Sequence, residues 1–434
     1  MTTGPKSVGY ITAVAVAVAD MVGTGVFTSL GFQVMGTTSG FALLAIWAVG
    51  GIVALCGALS YAELGAAIPR SGGEYHFLRR VYHPVLGILG GWATLTVAHA
   101  APIALSCIAL GTFAQGLVPG SPQTIAIATL LVVTSIHAVS VRLAKAFQVS
   151  TTALKIVLIV GFVCVGLALP VRTAVSFTPT PAALSEIGTG AFAVSLIYVS
   201  YAFSGWNAAA YMVGEMKDPQ RVLPRAMLHA TLLVTVLYLA LNWTFLRAVP
   251  IAEMAGRVEV GGLAATALLG PRGGKLMNAM LALVLLSSVS AMTFAGPRIA
   301  QVIGEDLPAL GGLARRTSGG VPRNALVLQQ GIALLFILTG AFEPVLAYAG
   351  FTMNLFSLLV VSGVFVLRWR EPALPRPYRT WGYPVTPAIF VILSVWTLAF
   401  VAIAKPREAL YGVATVASGL VLLFFKRTGA TSPS

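Results

Sequence analysis

Charge is what this sequence has least of. Lys, Arg, Asp and Glu make up 9% of its 434 residues, and only thirteen residues are acidic. A water-soluble domain of that length needs far more charge to cover its surface, so a soluble globular protein is excluded. Cysteine is nearly absent too. Cys56, Cys107 and Cys164 fall inside apolar runs and form no Cys-x-x-Cys pair. Neither a disulfide framework nor a thiolate metal site is indicated, and each reads as a small buried hydrophobe. Only three aspartates exist, Asp20, Asp218 and Asp306, and no His-Glu-x-x-His occurs. Ser/His/Asp hydrolysis and intramembrane proteolysis therefore lack their residues. The histidines have no metal-ligand spacing. No metal and no cofactor are expected, and the chain reads as a non-enzyme.

What it has in abundance is apolar length: 57% hydrophobic residues and a mean hydropathy of +0.89. Twelve apolar runs are long enough to cross a bilayer, at about 8–34, 40–68, 84–117, 123–141, 147–170, 187–213, 225–249, 274–300, 325–341, 344–367, 384–404 and 408–425. The fold expected is an all-α integral membrane protein of twelve transmembrane helices forming one domain. Lys6 followed by apolar sequence resembles a secretion signal, but no clean cleavage site follows, so the segment reads as a retained first helix.

The net charge of +14 would suggest a nucleic-acid partner in a soluble protein. Here the cations lie between apolar runs and seldom beside aromatics, so no nucleic acid is expected and topology explains them. Alternate loops carry nineteen cations against seven on the opposite side. That bias places both termini in the cytoplasm and the protein in the cytoplasmic (inner) membrane, with the lipid bilayer as its partner. Stretches 302–324 and 369–383 read as cytoplasmic connectors. Stretch 250–273 reads as an external loop with room for a short interfacial helix.

Two spans carry interruptions. In the first, Asp20-Met21-Val22-Gly23-Thr24-Gly25 sets two glycines and a carboxylate about a dozen residues into hydrocarbon. Glycines weaken the helix there, and broken backbone at membrane depth is tolerated only against protein or a cavity. About 180 residues later, Ser200-Tyr201-Ala202-Phe203-Ser204-Gly205-Trp206-Asn207 interrupts the sixth span. Two broken helices, each opening a group of five, point to an inverted-repeat transporter with a mid-membrane site. The repeats would be about 8–170 and 187–368, with helices 11–12 at about 384–425 appended. Amides at Met21, Val22, Gly23, Thr24 and Gly25, on the positive end of the following half-helix, suit a carboxylate. Carbonyls released where the first half of the sixth span ends suit an ammonium group. Together they fit the two ends of an α-amino acid.

Ionisable groups at membrane depth are functional candidates. Lys155 lies about eight residues into the fifth span. It reads as a cross-link from the first helix to Ser287, Ser288 or Ser290 of the eighth span, against the alternative of snorkelling about 12 Å to the interface. Asp20 reads equally as a proton or substrate group and as a cap for loose amides of the break. Glu63 reads as a tie to loop backbone or to a basic residue, and His99 is the histidine most worth testing. Trp206, Phe203 and Tyr201 read either as gates or as packing.

The run Met21-Val22-Gly23-Thr24-Gly25-Val26-Phe27 resembles the first-helix signature of the amino acid–polyamine–organocation superfamily. The stretch from Ala58 to Tyr75 and the stretch from Phe203 to Asn207, continuing through Gly214-Glu215-Met216-Lys217-Asp218-Pro219 to Leu223-Pro224-Arg225, resemble two further signatures. The pattern is most similar to the L-type amino acid transporter branch and its bacterial relatives. The resemblance implies a LeuT-type 5+5 inverted repeat with broken helices 1 and 6, working by alternating access. It implies amide binding of a substrate carboxylate at Val22 to Gly25. It also implies carbonyl binding of the amino group near Ile197 to Tyr201, with Ser200 and Ser204 beside it and Tyr201 or Phe203 as an outer gate. Lys155 matches a lysine that replaces the cation of sodium-coupled relatives, implying sodium-independent exchange or proton coupling. The chain departs from the pattern at Asp20, where a small neutral residue is usual, and at Ser204, where glycine is common. The rival readings are a polyamine or cationic amino-acid exchanger using Asp20 as counter-charge, and a non-transporting sensor or subunit. The sequence carries no signal for oligomeric state.

Overall fold

A computed structural model describes residues 8–69, 73–139, 141–170, 172–306, 310–317 and 321–426. Lys6, Arg70, Ser71, Gly72 and Arg427, which entered the charge count and the second signature, lie outside them. Described residues fall into helices joined by short connections. Seven helical segments are long and apolar enough to cross a membrane: Tyr10–Gln33, Gly40–Ala67, Pro84–Ala114, Pro219–Ala248, Val260–Phe294, Phe342–Arg370 and Val385–Ala404. Shorter apolar helices lie at Pro122–Ala138, Lys155–Ala168, Gly190–Phe203 and Arg323–Thr339.

The first span is two helices, α1 (Tyr10–Met21) and α2 (Thr24–Gln33). It is followed by α3 (Gly40–Ala67), started by Ser39, whose hydroxyl accepts from the Ala42 amide. The third span is also interrupted, which sequence reading missed. α4 (Gly73–Val81) precedes α5 (Pro84–Ala93), and a π-helical turn at Thr94–Ala98 separates α5 from α6 (Ala100–Ala114). Pro102 in the first turn of α6 has no N–H for the Ala98 carbonyl. The hydroxyls of Thr94 and Thr96 bond back to the Gly90 and Trp92 carbonyls, both at 2.8 Å. Such features favour a local widening of the helix.

Beyond lie α7 (Pro122–Val139), α8 (Val141–Ala168), α9 (Pro181–Glu186) and α10 (Gly190–Phe203), the last capped by Thr189. The sixth span does not resume as an α-helix. After a turn it continues as a 3-10 segment, Ala208–Glu215. α11 (Pro219–Ala248) packs along α3. α12 (Ile251–Met254) leads to α13 (Val260–Asp306), which bends at Gly270 (φ +76) before Pro271. The expected external loop at 250–273 is therefore mostly helix. Gly270-Pro271 joins the two helical pieces. The remaining elements are α14 (Gly311–Ala314), α15 (Arg323–Thr339), α16 (Phe342–Arg370), α17 (Val385–Ala404), α18 (Pro406–Ser418) and α19 (Val421–Lys426).

α4 is a second correction, since its sequence reads as a charged loop. Its spacing gives it one apolar face (Tyr75, Phe77, Leu78, Val81, all buried), which seats it against α5 and α16. Cys164 is a third, being exposed whereas Cys56 and Cys107 are buried.

Glu63 closes one end of the bundle. Its carboxylate takes two hydrogen bonds from Arg368, at 2.8 and 2.7 Å, and one from the Thr380 amide at 2.7 Å. α3 is thereby fastened to α16 and to the segment that follows it. At the opposite end Glu343 accepts from the Tyr198 hydroxyl and pairs with Lys405, tying α10 to α16 and to the α17–α18 connection.

Candidate functional site

The two interruptions meet. α1 closes with the Val22 amide on the Val18 carbonyl at 3.0 Å. Gly23 is extended, and α2 restarts at Thr24 with no side chain capping its first amides. Those amides carry the positive end of the α2 dipole. α10 ends at Phe203, and Gly205 turns the chain at φ +111. The two segments approach to backbone contact. A Cβ on Gly25 would lie 2.5 Å from the Ala202 Cα, and one on Gly205 would lie 2.8 Å from both the Asp20 carbonyl carbon and its Oδ2. Thr24 Oγ1 and the Tyr201 hydroxyl are 3.2 Å apart.

Sequence reading missed Tyr238. From α11 its hydroxyl reaches the Met21 carbonyl at 2.6 Å and the Ala202 carbonyl at 3.1 Å, so one buried proton serves the last turns of both broken helices. The signal for it is weak, because a single tyrosine in an apolar helix looks like packing.

Lys155 is 1% exposed. Its ammonium donates to the Val22 carbonyl at 3.1 Å and to Ser288 Oγ at 2.8 Å, and the Ala19 carbonyl lies at 3.5 Å. It joins α8, the first break and α13, with Asp20 near enough to interact electrostatically. Of the three expected serines, Ser288 is the partner. Ser290 instead meets His137 Nε2 at 2.8 Å, because it lies two residues on and faces α7. Ser287 is buried on the same stretch.

A cavity of about 90 Å³ opens beside the second break. Six of the residues singled out from the sequence line it: Asp20, His99, Ser200, Phe203, Ser204 and Trp206. The others, Met21, Val22, Gly23, Thr24, Gly25, Ile197 and Tyr201, flank the breaks but are not on its wall. Trp206 stacks edge-on with Tyr61 (4.6 Å between ring centroids), and Phe203 lies 5.0 Å from Tyr238. Opposite walls come from α16 and from the π-helical turn, which places His99 on the cavity. His99 Nδ1 lies 3.1 Å from the Thr94 carbonyl.

The floor is a polar knot that sequence reading passed over. Glu74, on α4, accepts from Tyr61 (3.0 Å), Asn207 (2.5 Å) and Tyr211 (2.6 Å), which links α3 to the 3-10 segment. The signal was the Glu inside Gly73-Glu74-Tyr75, which is invisible as a membrane group while the stretch reads as loop. Among the described residues no cluster could hold a metal ion.

Asp20 from the first break thus meets Ser200, Phe203, Ser204, Gly205 and Trp206 from the second on one cavity wall. Comparison with known proteins places the chain in a family. The amino acid permease family model matches residues 8–425. The b(0,+)-type amino acid transporter 1 of Homo sapiens is 28% identical over 433 residues, covering 96% of this chain and 87% of the relative. The Asc-type amino acid transporter 1 of Mus musculus is 28% identical over 440 residues, covering 96% and 81%. The serine/threonine exchanger SteT of Bacillus subtilis (strain 168) is 28% identical over 400 residues, covering 91% and 90%. With that match over nearly its whole length, the chain belongs to the amino acid permease family, within the amino acid–polyamine–organocation superfamily.

Proposed function

We propose that the protein is a secondary transporter that carries amino acids across the cytoplasmic membrane by alternating access. The observation that carries this reading is the meeting of two broken helices in backbone contact beside one cavity, which Asp20 at the end of α1 and the end of α10 both line, with the uncapped amides of α2 next to it. A zwitterion satisfies both, its carboxylate at Val22 to Gly25 and its ammonium at the carbonyls from Ile197 to Tyr201. Tyr201 or Phe203 closes over it.

In this reading the helices make twelve spans in a LeuT-type 5+5 inverted repeat, with α1/α2 and α10 plus its 3-10 continuation as the paired interruptions. Both termini lie in the cytoplasm. Lys155, held against the first break and Ser288, supplies a fixed positive charge where a coupling cation would otherwise sit, so transport is sodium-independent. It runs by exchange or with a proton.

The test is counterflow of labelled amino acids in proteoliposomes, with choline replacing sodium. Saturable counterflow unchanged by the replacement supports the reading. Ligand binding without counterflow, across all twenty amino acids, would make the protein a sensor or subunit instead.

A further inference from the structure

One side of α11 changes character along its length. Exposed residues recur at Arg221, Arg225, His229, Leu232, Leu233 and Val236, and spacings of three and four put them on one face. The start of that face is basic and the rest is apolar. From 217 to 229 the sequence holds three permanent cations, Lys217, Arg221 and Arg225, against one acid, Asp218. Asp218 lies 3.9 Å from Arg221 with both side chains more than half exposed, so it offsets little of that charge. Among the described residues Lys217 and Arg225 have no ion-pair partner.

The contacts of α1 give this face a depth. α1 runs parallel to α11: near its start the Tyr10 hydroxyl lies 2.8 Å from His229 Nδ1, and at its end the Met21 carbonyl accepts from Tyr238 at 2.6 Å. His229 is nine residues before Tyr238 and Arg247 nine after it. At helical rise that is about 13.5 Å each way, close to the roughly 15 Å of half a hydrocarbon core. With the breaks at mid-membrane, both positions fall where hydrocarbon gives way to headgroups. Each carries the aromatic ring typical of that level. Tyr10 stacks edge-on with His229, and the Arg247 guanidinium lies 4.8 Å from the centre of the Trp243 ring. Arg225 and Arg221 are then one and two turns further out, at phosphate depth. On the hydrocarbon side lie Ile11, 81% exposed, and Val236, 57% exposed.

The same edge joins the two broken spans. The Lys217 amide donates to the Val8 carbonyl at 3.2 Å, and Val8 forms a parallel bridge with Met216, where the 3-10 segment ends. A ligand that fits the whole edge needs an anion at one end and apolar chains at the other. A free phosphate meets the cations and leaves the apolar face uncovered. A zwitterionic lipid brings its own ammonium to a basic surface.

We propose that this face of α11, with the start of α1, is a binding site for an anionic phospholipid. Its phosphate pairs with Arg225, Arg221 and Lys217, and its acyl chains lie along Ile11, Leu232, Leu233 and Val236. The lipid thereby clamps the start of α1 to the chain leaving the 3-10 segment. The site lies apart from the cavity, and nothing in it depends on what the protein carries.

The test is native mass spectrometry of the purified full chain released from nanodiscs of equal parts phosphatidylglycerol and phosphatidylcholine. The parent retains phosphatidylglycerol in preference. Each cation near an anionic surface contributes about fivefold in affinity, so Lys217→Gln with Arg225→Gln weakens that retention roughly 25-fold. Arg247→Gln, at the other edge, leaves it unchanged. A second readout needs no variant: raising the salt to about 1 M, where screening shortens to about 3 Å, lowers the preference of the parent. Equal retention of the two lipids by the parent overturns the proposal, as does a preference that survives the double substitution or the salt. Displacement of phosphatidylglycerol by inorganic phosphate also overturns it, making the cations a site for free anions. None of these outcomes bears on counterflow, which tests the transporter reading separately.

Discussion

Lys155→Met replaces the buried ammonium with an apolar chain of similar length, and its cost follows from three contacts. The ammonium donates to Ser288 Oγ at 2.8 Å and to the Val22 carbonyl at 3.1 Å, and it faces Asp20. Hydrogen bonds from a charged donor contribute about 1.5–3 kcal/mol each. Removing one member of a buried charge pair costs about 3–5 kcal/mol, because the other charge stays behind. These figures overlap, since one group makes all three contacts, so the expected loss is about 3–5 kcal/mol rather than their sum. The assay is chemical denaturation of the purified protein in detergent, with a double-mutant cycle against Asp20→Asn. If Asp20 depends on Lys155, the double variant loses at least about 1 kcal/mol less than the two single losses added. Counterflow should also fall more than cargo affinity, because the variant loosens the joint between the first break and α13 while leaving the α2 amides in place. A variant within about 1 kcal/mol of the parent, with unchanged counterflow, refutes the reasoning and makes Lys155 a snorkelling side chain.

Tyr238→Phe leaves the Met21 and Ala202 carbonyls without their shared donor, so stability in the same assay should fall by about 1–3 kcal/mol; a loss too small to resolve would mean that the breaks hold without it. Gly205→Ala puts a side chain at φ +111, 2.8 Å from Asp20 atoms, and should cost about 1–3 kcal/mol from backbone strain alone. A neutral outcome in thermal unfolding would show that the turn can relax. Outside the spans, the Arg80 guanidinium holds the Glu371 carboxyl below its usual 4.5. Stability from that pair is therefore full above about pH 4.5 and is lost as pH falls through the lowered value. It is small, because both side chains are a third or more exposed. The gap between parent and Glu371→Gln should close on acidification, and a gap that widens would contradict the sign.

Apolar length and the two glycine-marked interruptions could be read from residues alone, because membrane helices announce themselves by composition and a break by loss of helix propensity. Lys155 was legible as an isolated cation in hydrocarbon, and Glu63 as a carboxylate near a helix end. What stayed hidden depends on neighbours distant in sequence. Tyr238 looks like an ordinary residue of an apolar helix until α10 is packed against it. Glu74 sits in a stretch whose low mean hydropathy reads as loop, and only its contact with Asn207 and Tyr211 brings it to the cavity. The 3-10 continuation at Ala208–Glu215 and the π turn at Thr94–Ala98 change hydrogen-bond register without changing the apolar pattern, so periodicity cannot separate them from α-helix.

The contacts between the breaks also constrain what can move. Gly25 meets Ala202 at a distance that leaves no room for a methyl group, Thr24 reaches Tyr201, and Tyr238 holds the last carbonyl groups of both helices. Interfaces packed that closely do not slide by small amounts, because any shift creates either a clash or a void. α2 and α10 must therefore travel together. The softer boundary is the one around the cavity, where the π-helical turn faces α10 across empty space and the Glu74 carboxylate joins α3 and α4 to the start of the 3-10 segment. If the chamber opens alternately to the two sides, it opens there, with the paired breaks and Lys155 carried as one body. Crosslinking Asn207→Cys to Glu74→Cys should then arrest counterflow, and reducing the crosslink should restore it.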